Sequence, residues 1–131
     1  DIKVFVEKKD AVRINGKSLA KKFLADKGIV LNDFTCANLS NIGDYYWINP
    51  KVEYLKQHWD IILNDWNKEE LIHIQIPANT FEITENGTGG FYLRTDKPQY
   101  LNIHIDSNML VENKGGVDFK PYVINRYSYK S

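Results

Sequence analysis

Trp59-Asp60-Ile61-Ile62-Leu63-Asn64 and Leu71-Ile72-His73-Ile74-Gln75-Ile76, joined by Asp65-Trp66-Asn67-Lys68-Glu69-Glu70, decide the fold class of this chain. Two runs rich in β-branched and aromatic residues that bracket a polar connection read as a β-hairpin. In the second run Ile72, Ile74 and Ile76 alternate with His73 and Gln75, the pattern of a strand buried on one side, with His73 expected on the solvated face. Pro77 stops it, having no amide hydrogen to give to a ladder.

The same grammar extends in both directions. Residues 2–6 and 11–14 read as two short strands, the second ending at the turn dipeptide Asn15-Gly16. Leu19, Ala20, Phe23 and Leu24 then recur at helical spacing, and Gly28 stands where a C-terminal cap belongs. The apolar stripe of this helix is expected to face a sheet, turning Lys17, Lys21 and Lys22 to solvent. Residues 34–39 and 45–48 read as strands flanking the loop 40–44, Pro50 ends the second, and residues 52–57 form a single helical turn. Further strands are expected at 81–84, 91–94, 100–105 and 122–129. In the third of these Leu101, Ile103 and Ile105 point inward and Asn102, His104 and Asp106 outward. Eight or so strands with one good helix give an α+β, strand-dominated domain: a curved antiparallel sheet or open β-barrel with one packed amphipathic helix.

At 131 residues the chain fits one domain, spanning 1–131, with no linker long enough to divide it. Its start at Asp1 rather than Met leads to the expectation of a domain excised from a larger, bacterial protein. A lone cysteine, Cys36, cannot close an internal disulfide, which points to the reducing cytoplasm. No apolar run approaches a membrane span, so no membrane association is expected. Net charge is zero but unevenly spread. Residues 1–28 carry a balance of +4, residues 29–70 one of −4, and the rest is neutral. A neutral whole argues against indiscriminate coating of polyanions, whereas a basic end can still meet phosphates.

The chemistry-bearing patterns are few. His58, His73 and His104 lack ligand-like spacing and Cys36 has no partner close in sequence, so no metal site is implied. Cys36 also lacks any context that lowers a thiol pKa and reads as a small buried hydrophobe. Glycine loops at 87–90 and 115–116 are not followed by helices, so no nucleotide cofactor is implied either.

Residues 101–120 carry an enzymatic pattern: an apolar strand ending at Asp106, a gap, then Val117-Asp118-Phe119-Lys120. This stretch resembles the catalytic signature of the PD-(D/E)xK nucleases, although it lacks the proline before the first aspartate. The resemblance implies Asp106 and Asp118 as Mg²⁺ ligands and Lys120 as the cation that positions the attacking water.

Aromatic placement is the other signal. Along Tyr45-Tyr46-Trp47-Ile48, alternation puts Tyr46 and Ile48 on one face and Tyr45 and Trp47 on the other. Both faces are then aromatic or apolar, and only one is needed for a core. Trp66 falls in a polar hairpin loop. Uncovered rings beside Asn, Gln and Lys suit base stacking and edge readout. The leading expectation is therefore a noncatalytic module that binds nucleic acid, DNA preferred. Arg13, Lys17, Lys21 and Lys22 are expected on phosphates, and Tyr45, Trp47 and Trp66 on bases. A protein-interaction module, with a protein partner or a fused effector domain, would use the same rings without the lysines. The Mg²⁺ nuclease is the second alternative. Burial of Tyr45, Trp47 and Trp66 in a second small core, under the turn at 52–57, would remove the basis for the leading expectation.

Overall fold

The computed structural model describes residues 14–81, 83–84, 87–88 and 90–130. The strand expected at 2–6 lies outside them, as does that at 11–14 apart from Ile14, and so does Arg13.

Helix α1 spans Lys17–Asp26. It stops as its sequence directs. Gly28 adopts φ +85°, and the amides of Gly28 and Ile29 return to the carbonyls of Ala25 and Leu24. This is a Schellman cap, and Ile29 packs into the same apolar cluster as Leu24, the contact that usually accompanies it. Ala20 and Leu24 are fully buried, while Leu19, expected in the stripe, is 44% exposed.

Strands β1 (Thr35–Asn38), β3 (Trp59–Asp65) and β4 (Glu70–Ile76) join β9 (Val123–Ser128) in a four-stranded sheet of order β1-β3-β4-β9. The hairpin β3–β4 is at its centre, in full register from Trp59 opposite Ile76 to Asp65 opposite Glu70. Strands β2 (Tyr45–Ile48), β7 (Tyr92–Leu93) and β8 (Leu101–Asp106) form a second sheet of order β2-β8-β7. A two-stranded ribbon, β5 (Ile83–Thr84) with β6 (Gly87–Thr88), stands apart.

Two clusters explain the layering. Trp59, Ile61, Leu63, Ile72, Ile74 and Ile76 on one face of the first sheet meet Tyr46, Ile48, Leu101, Ile103 and Ile105 of the second. Ile62 and Leu71, on the opposite face, pack with Ala20 and Leu24 of α1, Ile14, Phe34 and Tyr129. The domain is thus three layers: helix, four-stranded sheet, three-stranded sheet. It is α+β and strand-dominated as expected, and among the described residues the strands form no closed barrel. No helix among them is long and apolar enough to cross a membrane.

Two local readings change. The first sheet is not wholly antiparallel, and β1 and β2 belong to different sheets. Only Leu39 and Tyr46 bridge, and β2 crosses to the second sheet while β1 pairs parallel with β3. A parallel pair needs a long crossover, and β2 with the 3₁₀ turn Val52–Lys56 supplies it. His73 is not solvated either. The second face of β4 is covered, leaving His73 2% exposed, and its Nε2–H donates to Asp60 Oδ1 at 2.8 Å. His58 Nε2 donates to the other oxygen of Asp60 at 3.1 Å. Asn64, 1% exposed, is similarly occupied. It donates to the Ile14 carbonyl and to Asn38 Oδ1, and accepts from the Tyr129 hydroxyl, joining the lead into α1, β1 and the end of the chain.

Candidate binding cleft

The alternation along β2 has the consequence expected of it. Tyr46 and Ile48 are sealed in the core at 0% and 2% exposure, whereas Trp47 is 51% exposed and Tyr45 half-buried. Burial under the turn at 52–57 does not occur, because Leu55 is the residue that this turn sends into the core.

Trp47 forms one wall of an open cleft of about 290 Å³ between the start of α1, the start of β1 and the end of β2. Lys17, Phe34, Thr35 and Cys36 line the side nearer the helix, and Trp47 through Lys51, Tyr54 and Tyr100 the other. Its walls are firmly tied. Lys51 and Tyr100 form a β-bridge, Asn49 donates to the Leu101 carbonyl at 2.8 Å, and the Tyr54 hydroxyl donates to Asp33 at 3.0 Å. That last bond holds the Tyr54 phenol above its ordinary pKa. The Lys17 ammonium lies 4.8 Å from the centre of the Phe34 ring, within cation–π range. Lys51 has only a loose contact with Glu53, at 4.0 Å between two exposed groups. The cleft therefore offers two cations beside aromatic walls.

Helical geometry separates the other lysines. At 3.6 residues per turn Lys21 follows Lys17 on the same flank of the buried stripe, and Lys22 points away from the sheet. Trp66, though 43% exposed, does not join the cleft. Its indole N–H donates to the Leu39 carbonyl at 2.8 Å, just past the end of β1, while the cleft opens at the beginning of that strand.

Beyond Trp47 the outer face of the second sheet continues the aromatic surface. Trp47 is paired across the ladder with His104 and Tyr45 with Asp106. The Tyr45 and His104 rings lie parallel, 6° apart in plane and 5.1 Å between centres, and Trp47 tilts against His104 at 5.7 Å. The Trp47 indole is oriented by its N–H, which donates to Asn102 Oδ1 at 2.7 Å. Tyr92, 49% exposed, stands opposite Asn102 on β7.

The cysteine in the cleft is held toward its neutral thiol. Burial pushes the Cys36 thiol up to about 11, against the opposing field of Lys17. The acidic pattern near the end of the chain is taken up by local turns. Asp106 accepts from the amides of Asn108 and Met109 at 3.0 and 2.7 Å. Asp118 accepts from the Lys120 amide and pairs with its ammonium at 3.0 Å, which together hold it below the usual carboxylate range. Lys120 also donates to the Met109 carbonyl. Among the described residues no three His, Cys, Asp or Glu side chains group so as to hold a metal ion.

Lys17, Trp47 and, one step along β2, Tyr45 are the residues legible in advance that the fold brings together. Lys51, Tyr54, Tyr100, Phe34 and His104 were not singled out. The chemical cue lay in the sequence, since Lys51 and Tyr54 closely follow Trp47, but their placement depends on the pairing of residues 51 and 100.

No family model matches the chain, and no curated protein or solved structure matches it.

Proposed function

We propose that this domain is a noncatalytic, cytoplasmic recognition module that binds nucleic acid at the cleft. Lys17 and Lys51 meet phosphates, with Lys21 extending the cationic track one turn along α1. Trp47 provides the stacking surface, with Tyr54 and Tyr100 as the polar aromatic wall. One observation carries the reading: an exposed indole and an ammonium from separate layers of the fold converge on one open cleft, the combination that grips a flat, anionic group. The local engagement of Asp106, Asp118 and Lys120 and the raised Cys36 thiol favour binding without turnover.

A mobility-shift or anisotropy titration against single- and double-stranded DNA and RNA, over a salt series, tests the proposal. Affinity is expected to fall as salt rises, because bound phosphates release their counterions. Charge reversal at Lys17 is expected to abolish most of it. A protein-interaction module would use the same rings and tolerate that reversal, so retained binding of a protein partner by Lys17→Glu, with no nucleic acid bound by the wild type, overturns the proposal.

A further inference from the structure

We infer that the ligand is an unstacked single strand, threaded from the lysines of the cleft across Trp47 onto the outer face of the β2–β8–β7 sheet. This rests on the nucleic-acid reading above and narrows it.

Spacing is the first ground. Tyr45 and Trp47 stand two residues apart on one strand, about 6.6 Å along its axis. Successive bases in a stacked strand are about 3.4 Å apart. A strand that places one base on the Tyr45–His104 pair and the next on Trp47 must open its stacking, which a paired duplex does not allow. The exposed indole has the same requirement, since its face is useful only to a base whose own face is free.

The helix supplies the second ground. Duplex DNA is usually read by side chains that reach base edges in the major groove, chiefly Arg, Lys, Asn and Gln. Helix α1, Lys17–Asp26, has only lysines of these and none of the planar forked groups. Its outward face presents Leu19, Lys22 and Asp26 instead, with no net charge. Asn102 is the amide beside the rings, and with Oδ1 accepting from the Trp47 indole its NH₂ is left to offer a base edge.

Charge sets the direction and the length. Lys17, Lys21 and Lys51 lie at the cleft end of the track, and Lys17 to Lys21 is one helical step of about 6 Å, suited to phosphates of an extended chain. At the far end Tyr45 pairs with Asp106 and follows Asp44, so phosphates are repelled there. The track therefore takes two or three nucleotides, the backbone on the lysine side and the bases on the rings.

The experiment compares a short oligothymidylate and oligouridylate with a blunt duplex of the same length, by anisotropy at low salt. Wild-type protein is expected to bind at least one of the single strands about tenfold or more tighter than the duplex. Trp47→Ala should weaken single-strand binding about tenfold, the value of one base–ring stack, and Tyr45→Ala should weaken it less. Trp66→Ala is the control and should bind as wild type, with circular dichroism reporting that each variant is folded. Equal or tighter duplex binding overturns this inference and leaves the nucleic-acid reading standing. Single-strand binding unchanged in both Trp47→Ala and Tyr45→Ala overturns the path across the sheet. Binding of no nucleic acid at low salt removes the broader reading and this one with it.

Discussion

Trp47 and Trp66 show how similar exposure can mean different things. Both rings are about half uncovered, and both indole nitrogens are hydrogen-bonded. The acceptor separates them. Trp66 donates to a backbone carbonyl of Leu39, clamping the β3–β4 turn to the end of β1. Trp47 donates to Asn102 on β8, a strand that the backbone of β2 already pairs with, so the bond aims the ring and adds no new connection to the fold. Trp66→Ala is therefore expected to lower unfolding free energy in urea by about 1 kcal/mol, the usual worth of one such bond, and to leave ligand binding intact. Trp47→Ala should do the reverse, with little change in the urea midpoint. Cys36 gives a second, independent check on the cleft. A thiol raised from 9.0 to about 11 holds about a hundredfold less thiolate at mildly alkaline pH than the same group unperturbed. Alkylation by iodoacetamide at such a pH should be slower than for a free cysteine by about that factor. Fast labelling would mean that the floor of the cleft is wetter than its geometry indicates.

The strands and the helix differ in how much of their role was written locally. Strand β8 was legible in full: Leu101, Ile103 and Ile105 are completely buried and the residues between them are not, because one face meets a core and the other meets solvent. Helix α1 was legible in its extent and in its cap at Gly28, but not in Leu19, which the apolar stripe expected inward and which is 44% exposed. Strand β4 was misread on one face because its cover comes from α1 and the segments around it, a tertiary fact that alternation in a single strand does not record. The parallel β1–β3 pair was invisible for a related reason, since choosing β3 over the adjacent β2 depends on which sheet β2 joins. Burial of that second face also makes the Asp60 carboxylate structural. Asp60→Ala leaves the Nε2–H of buried His73 without an acceptor and is expected to cost about 1–3 kcal/mol in urea unfolding. Asp60→Asn keeps one oxygen for His73 and should cost less. Equal costs for the two would show that the charge of the carboxylate, and not merely an acceptor oxygen, matters at this position.

A neutral molecule with a basic end makes a specific demand on how binding responds to salt. With no net charge to draw polyanions from a distance, the proposed interaction would depend on the few cations that touch phosphate. Lys17 and Lys51 at the cleft, with Lys21 one turn along α1, make that number two or three, and each contact with a single strand contributes a slope of about −0.7 in the logarithmic dependence of affinity on salt. The expected slope is about −2, so a fourfold rise in salt lowers affinity by about an order of magnitude. Lys17→Ala should reduce the slope by about one contact, and Lys22→Ala, on the opposite side of the helix, should leave it unchanged. Reading the slope of each variant, and not only its affinity, separates lost charge from lost shape: a misfolded variant binds more weakly with the same dependence, whereas a missing contact flattens it. A slope near zero in the wild type would show that stacking alone holds the ligand, and the lysines of α1 would then be an ordinary solvated helix face.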